Sequence, residues 1–317
     1  MSNLPKQFID RLKLVIPDAH WFTVWNSFHI DKPLVIRINT LRTDKPSVEK
    51  ELIKLSAAFE EVSWKDDALI IPLADRSVVL NSDIYQKGLL YSQNLSSQLA
   101  PVILDPQPGE EVLDMCAAPG GKTSQIACMM QDKGRIAAME KVKTRFFKMK
   151  ANFKTLQHHS IQTYFADAVS VWRKTPERFD RVLLDAPCSS ESRFHTNKPD
   201  SYSHWKLRKI KETSRKQKKL IYSAVNCLKP GGTLVYSTCS FAPEENEAVI
   251  NHILDTFPQQ LTVETVNTPI KNVQAGLAQW NGKNFNPSVT NSLRILPNEF
   301  MDGFYICKIV KTAATIP

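Results

Sequence analysis

The sequence predicts an α/β protein: a doubly wound, mostly parallel sheet ending in a C-terminal antiparallel hairpin, preceded by a small N-terminal α/β domain. Two observations carry this. From Glu110 onward, short apolar runs alternate with longer helical stretches, the order that builds a parallel sheet with helices on both faces. The short runs show little internal alternation, as strands buried on both faces should.

The elements follow in order. Residues 1–80 form the first unit, with a helix over 5–15, a strand at "LVIRINTL" (34–41), a helix over 46–58 opened by Pro46 and Ser47, and a strand near "ALIIP". A connecting segment, 81–109, holds one helix over 85–104 and closes on the turn-forming "DPQPGE". The main domain, 110–317, places strands at 111–115, 135–140, 160–166, 181–186 and 233–238. Its helices fall at 120–131, 142–157, 204–228 and 244–257, and strands near 293–296 and 304–310 close one edge as the hairpin. In the helix over 204–228, Leu207, Ile210, Ile221, Ala224 and Leu228 make an apolar stripe, which Ser214 and Gln217 interrupt. The C-terminal half of that helix is expected on the sheet and its basic N-terminal half beyond it.

Composition narrows the class. The chain has 317 residues, 42% apolar and 23% charged, ordinary for a soluble globular protein. No apolar run approaches the roughly 18 residues of a membrane span, and the N-terminus has no secretory pattern, so the cytoplasm is the expected compartment. None of the six cysteines forms a Cys-x-x-Cys pair or a zinc-spaced Cys/His cluster, so no metal is expected. Cys128, Cys227 and Cys307 read as small buried hydrophobes. The net charge of +9 favours a polyanionic partner. Residues 206–219, "KLRKIKETSRKQKK", hold eight Lys/Arg against one Glu, and "KVKTRFFKMKANFK" (141–154) is a second basic run. Either could be a solvated helix face; together they point to nucleic acid, with Lys206, Arg208, Lys209 and Arg215 as candidate phosphate contacts.

The stretch "VLDMCAAPGGKTSQIA" (112–127) ends like a phosphate loop, in Gly121-Lys122-Thr123. The first glycine of that loop is Cys116 here, and the dinucleotide fingerprint fails at Ala118, so ATP and NAD are both disfavoured. What remains is a small-residue loop, Cys116, Ala117, Ala118, Pro119, Gly120, Gly121 and Lys122, at the carboxyl end of the first strand, where doubly wound sheets bind ligands. Glu140 ends the second strand, placed for ribose hydroxyls, and Asp167 follows the third, placed for an adenine amine. This set suits a nucleoside without phosphates, S-adenosylmethionine being the natural candidate.

"LLDAPCSS" (183–190) and "YSTCSFAPEENE" (236–247) end the fourth and fifth strands, which brings Asp185, Cys188 and Cys239 to the same rim. A thiolate beside a methyl donor fits methylation at carbon 5 of cytosine. Addition to carbon 6 makes carbon 5 nucleophilic, and loss of the carbon-5 proton later releases the thiol. Asp185 could hold the base at N3 and the exocyclic amine; donation of a proton to N3 would require surroundings that favour its protonated form. The base must leave its stack or be unpaired.

These residues, taken as an ordered series, resemble the Nop/Sun family of RNA cytosine-C5 methyltransferases. The series is "RINTL" (37–41), "YSQNLSSQL" (91–99), "LDMCAAPGGKT" (113–123), "EKVKTR" (140–145), "ADA" (166–168), the two cysteine motifs, and "RILPNEFMDGFYIC" (294–307). The resemblance implies a Rossmann-like methyltransferase sheet, an RNA-binding N-terminal part, S-adenosylmethionine held by Cys116–Lys122, Glu140, Asp167 and Asp185, and tRNA or rRNA as substrate for a monomer. It also implies that Cys239 is the nucleophile and Cys188 assists release. The residues alone leave those two roles open, since some DNA cytosine methyltransferases use the Cys of a Pro-Cys pair, and Pro187-Cys188 is one. Two positions depart from the family pattern: Ser190-Glu191 where Gly usually follows "PCS", and Asn298 where a His is common. Two other readings compete: a non-catalytic RNA-binding or assembly factor on this fold, which would need neither thiol, and a methyltransferase for protein or small molecules, which would not need the basic runs.

Overall fold

The structure, a computed structural model, describes residues 4–316. The chain opens with α1 (Lys6–Val15) and α2 (Asp18–Ser27), then β1 (Leu34–Ile38), α3 (Lys45–Lys54), β2 (Glu60–Glu61), β3 (Ala68–Ile71), α4 (Arg76–Asn81), α5 (Asp83–Gln86), β4 (Leu90–Ser92) and α6 (Leu95–Leu104). β5 (Glu111–Asp114), α7 (Gly121–Met129), β6 (Arg135–Glu140), α8 (Lys143–Leu156), β7 (Ile161–Phe165), β8 (Phe179–Asp185), α9 (Leu207–Cys227), β9 (Leu228–Thr238) and α10 (Glu247–Thr256) follow. The chain closes with β10 (Leu261–Glu264), β11 (Val273–Ala275), β12 (Gln279–Trp280), β13 (Lys283–Asn284), β14 (Leu293–Ile295) and β15 (Phe304–Lys311).

The main sheet runs β11-β14-β15-β9-β8-β5-β6-β7, with β10 also paired to β15. β9 through β7 are parallel; β15 is antiparallel to β9 and β14. Val182, Leu183, Leu184, Leu234, Val235 and Tyr236 are fully buried, which explains their unalternating sequence. The expected hairpin exists, but it does not end the sheet: β11 extends it past β14. The chain order reverses between β5 and β8, so the crevice outside their carboxyl ends is the switch point at which such sheets bind ligands.

The helix expected over 85–104 is broken. Residues 90–92 are β4, paired with β1 as the last strand of a four-stranded sheet ordered β2-β3-β1-β4. Gly88 explains the break. It adopts φ +72, and a Cβ there would lie 2.4 Å from the Thr155 carbonyl oxygen, a conformation and a contact that favour glycine. The small sheet therefore continues past the expected boundary at residue 80. α1 and α2 pack elsewhere: Phe8, Leu12 and Phe28 join Phe194, Trp205, Phe241 and Leu296 in one buried cluster.

Arg37 and Asn39 of the "RINTL" stretch are both buried. Arg37 donates to Gln93 Oε1 (3.0 Å) and to Ser124 Oγ of α7 (2.6 Å). Asn39 donates to the carbonyls of Gly88 (2.9 Å) and Leu156 (3.0 Å). Buried polar groups need such partners, and here the partners fasten the small sheet to α7 and α8, beside the ligand crevice.

Candidate active site

β5 ends in Asp114, and the loop after it returns to start α7 at Gly121. Gly120 caps that helix at φ +109, with Phe153 close enough that a Cβ would lie 2.7 Å from its ring. Asp114 is fully buried and accepts from Thr123 Oγ1 (2.6 Å) and the Cys116 N–H (3.3 Å), which fixes the loop. Burial raises its carboxyl to about 6.

A cavity of about 510 Å³ opens over this loop. Cys116, Ala117, Ala118, Pro119, Gly121 and Lys122 line one side of it, and Asp185, Cys188 and Cys239 another. The structure thus brings together most of the residues singled out from sequence. Glu140 and Asp167 end on the same rim but do not line the cavity. Glu140 is buried against Arg145 (3.1 Å) and accepts from the Val142 N–H (2.8 Å). Asp167 pairs with Lys141 (3.3 Å) and caps the Val169 N–H (3.0 Å).

Lys122 Nζ lies 2.7 Å from Asp185 Oδ2, and Ser237 Oγ donates to Asp185 Oδ1 at 2.9 Å. Both oxygens of Asp185 accept hydrogen bonds, so neither is arranged to donate a proton toward N3, the condition set for that step. A carboxylate offers about four lone-pair sites, which leaves acceptor capacity for a base amine. The same pairing tests the cofactor. Beside the small-residue loop Lys122 is neutralised by Asp185 and Arg145 by Glu140, while the third cation of the lining, Arg193, stands by Cys239; the loop side of the cavity therefore fits a phosphate-free group better than a polyphosphate.

The two sulfurs of Cys188 and Cys239 are 3.3 Å apart. The hydrogen bond from Cys188 lowers the Cys239 thiol to about 6; burial opposes this, and the Arg193 guanidinium assists it. Cys188 moves the other way, first through that hydrogen bond and then through burial, with the Glu245 carboxylate adding to the effect. The asymmetry gives a physical reason to prefer Cys239 as the thiolate, which strand-end spacing could not supply.

Sequence reasoning did not assign roles to the groups that hold these loops. Glu245 accepts from Ser189 N–H (3.0 Å), Ser189 Oγ (2.5 Å) and Thr213 Oγ1. Glu191, which follows the departing Ser190, accepts from Trp205 Nε1 (2.7 Å), Phe241 N–H (2.9 Å) and Ser240 Oγ (3.1 Å). Ser189 and Ser240 meet at 3.0 Å, completing a bridge between the two cysteine loops. Ser190 is left-handed at φ +59, where glycine is the easier residue. Asn298 Oδ1 accepts from the Phe300 (3.0 Å) and Met301 (2.7 Å) N–H groups and so shapes its own turn. The signal for Glu245 was its place in "APEENE"; Glu191 had none beyond following the departing Ser190.

The N-terminal half of α9 does not project. Ile210, Thr213, Ser214 and Gln217 are buried, and Gln217 Nε2 donates to the Pro187 carbonyl (2.9 Å). The interruptions in the apolar stripe are hydrogen-bonding residues packed on the cysteine loops. Lys206, Arg208, Lys209 and Arg215 are exposed on the outer side, outside the cavity lining; Arg208 pairs with Glu212 at 2.8 Å. Among the described residues no cluster could hold a metal ion, and no helix is long and apolar enough to cross a membrane.

A family model described as 16S rRNA methyltransferase RsmB/F matches residues 101–310. The chain is 36% identical to the tRNA (cytosine(49)-C(5))-methyltransferase of Pyrococcus abyssi, over 98% of this chain and 97% of that protein. It is 32% identical to the ribosomal RNA small subunit methyltransferase F of Vibrio campbellii, over 98% of this chain but 64% of that longer protein. Among solved structures, a methyltransferase homologue from Pyrococcus horikoshii superposes with a TM-score of 0.82 and 31% identity, covering 98% of this chain and 96% of that one.

Proposed function

Because this chain belongs to the RsmB/F methyltransferase family, we propose that it is a cytoplasmic, monomeric enzyme that methylates carbon 5 of a cytosine in tRNA or rRNA, with Cys239 as nucleophile. It is an S-adenosylmethionine-dependent RNA cytosine-C5 methyltransferase. The observation that carries the residue assignment is the pair of sulfurs 3.3 Å apart in the cavity that also holds Asp185 and the small-residue loop.

S-adenosylmethionine, when bound, supplies the electrophilic methyl carbon; residues of the loop Cys116–Lys122, with Asp185, would hold it, and Glu140 and Asp167, at the ends of the next two strands, would accept from its ribose hydroxyls and adenine amine. The Cys239 thiolate adds to carbon 6 of the base, forming an S–C bond and breaking the C5–C6 π bond, whose electrons make carbon 5 nucleophilic. Asp185 accepts from the exocyclic amine and orients the ring. After alkylation, the carbon-5 proton leaves to a base, the π bond re-forms, and the S–C electron pair returns to Cys239. Cys188 is in place to serve that release.

The test is transfer of label from radiolabelled S-adenosylmethionine to total RNA from cells lacking the protein. Labelled 5-methylcytosine supports the reading, and the labelled RNA identifies the substrate; absence of label in every pool would overturn it in favour of a non-catalytic RNA-binding factor. The outer face of α9 gives a second expectation. Replacing Lys206, Arg208 and Lys209 with Gln should weaken RNA binding and flatten the dependence of log K on log salt by roughly 2. An unchanged slope in a filter-binding titration would show a solvated face.

A further inference from the structure

β7 is the open edge of the main sheet, and α8 lies beside it. Two stripes of α8 differ in character. Met149, Phe153 and Leu156 are buried. Phe147, Lys150, Ala151 and Lys154 recur at the spacing of one helix face and, with an edge of Phe153, line an open groove of about 620 Å³, with Ile161 and Thr163 of β7 on its other side. Phe147 is 56% exposed, as is Phe165 at the end of β7; Phe146 lies between them, 5.6 Å and 5.4 Å from their rings. Large aromatics left in water at one place call for a partner.

Charge selects that partner. α8 carries Lys143, Arg145, Lys148, Lys150 and Lys154 and no acidic residue. Arg145 pairs with Glu140, whereas the four lysines make no ion pair among the described residues. Among the described residues no carboxylate lines the groove, and those on the neighbouring loops are engaged: Asp132 by the His159 and Ser160 N–H groups, and Asp167 by Lys141. An apolar floor between unpaired lysines suits stacked bases flanked by phosphates.

We propose that the groove between α8 and β7 is a second RNA-binding surface, in which a base of a single-stranded segment stacks on Phe147 while neighbouring phosphates meet Lys150 and Lys154. It rests on the RNA reading above and adds to it a contact outside the catalytic cavity. A protein strand added to the β7 edge is the competing occupant; it would gain little from the four lysines.

The test uses the full chain and a fluorescent oligoadenylate, which has no cytosine to methylate, with binding read by anisotropy. Phe147→Ala should weaken binding at least about fivefold, and Phe147→Trp should preserve it. Replacing both Lys150 and Lys154 with Gln should reduce the salt slope by about 1.4. Binding by Phe147→Ala equal to wild type, or an equal loss in Phe147→Trp, overturns the proposal. Methyl transfer by the wild-type protein is followed in parallel. Transfer with no effect of these variants on oligoadenylate binding rejects this surface alone, whereas absent transfer rejects the catalytic reading.

Discussion

Cys239→Ala is expected to abolish methyl transfer, while Cys188→Ala accumulates a protein–RNA adduct that survives a denaturing gel. On the proposed assignment, the first variant lacks the atom that bonds to carbon 6, and the second retains it but loses the thiol 3.3 Å away proposed to serve release. Loss of a nucleophile of this kind removes on the order of 10⁴-fold or more of the rate. Alkylation by iodoacetamide gives a reading independent of RNA. The Cys239 thiolate should be half-formed near pH 6, against about 8.5 for a free thiol. Its reactivity should therefore rise through pH 6 in the wild type. In Cys188→Ala, which lacks the stabilising hydrogen bond, that rise should move to higher pH. Adduct in Cys239→Ala and none in Cys188→Ala would reverse the assignment and leave the chemistry intact.

Glu247→Gln should cause the largest loss of stability. Glu247 takes a two-pronged contact from Arg294, at 2.6 Å and 2.5 Å, and both side chains are almost wholly buried. Arg294 also donates to the Phe241 carbonyl (3.0 Å), so the pair ties α10 and β14 to the segment after Cys239. Removing one charge leaves the other buried without its partner, which costs about 3–5 kcal/mol. The urea midpoint should fall accordingly. The double variant Glu247→Leu with Arg294→Met should recover much of the loss, because it leaves no buried charge unpaired. An unfolding free energy for Glu247→Gln within about 0.5 kcal/mol of wild type would show that the site admits water.

The parallel strands were legible because their burial on both faces writes itself as unbroken apolar runs. The small-residue loop was legible because its glycines and alanines have few other uses after a strand. β4 was not. Its three residues lie in a stretch that reads as helix, and only the approach of Gly88 to Thr155 and pairing with β1 make a strand there. α9 was half legible: its length and basic side could be read, but Ser214 and Gln217 looked like flaws in a stripe until their partners, the Glu244 and Pro187 carbonyls, were in view.

By itself the sequence determined the class of sheet, the family, the loop at the first strand end and the convergence of Asp185, Cys188 and Cys239 on one rim, because these depend on local order along the chain. Tertiary structure decided how the carboxylates are paired, what holds the cysteine loops together, and which of the two thiols has a guanidinium beside it. Those outcomes depend on distances between residues far apart in sequence: Lys122 to Asp185, Glu245 to Ser189, Arg193 near Cys239. Electrostatic and hydrogen-bond energies fall steeply with such distances, and spacing along a chain does not contain them.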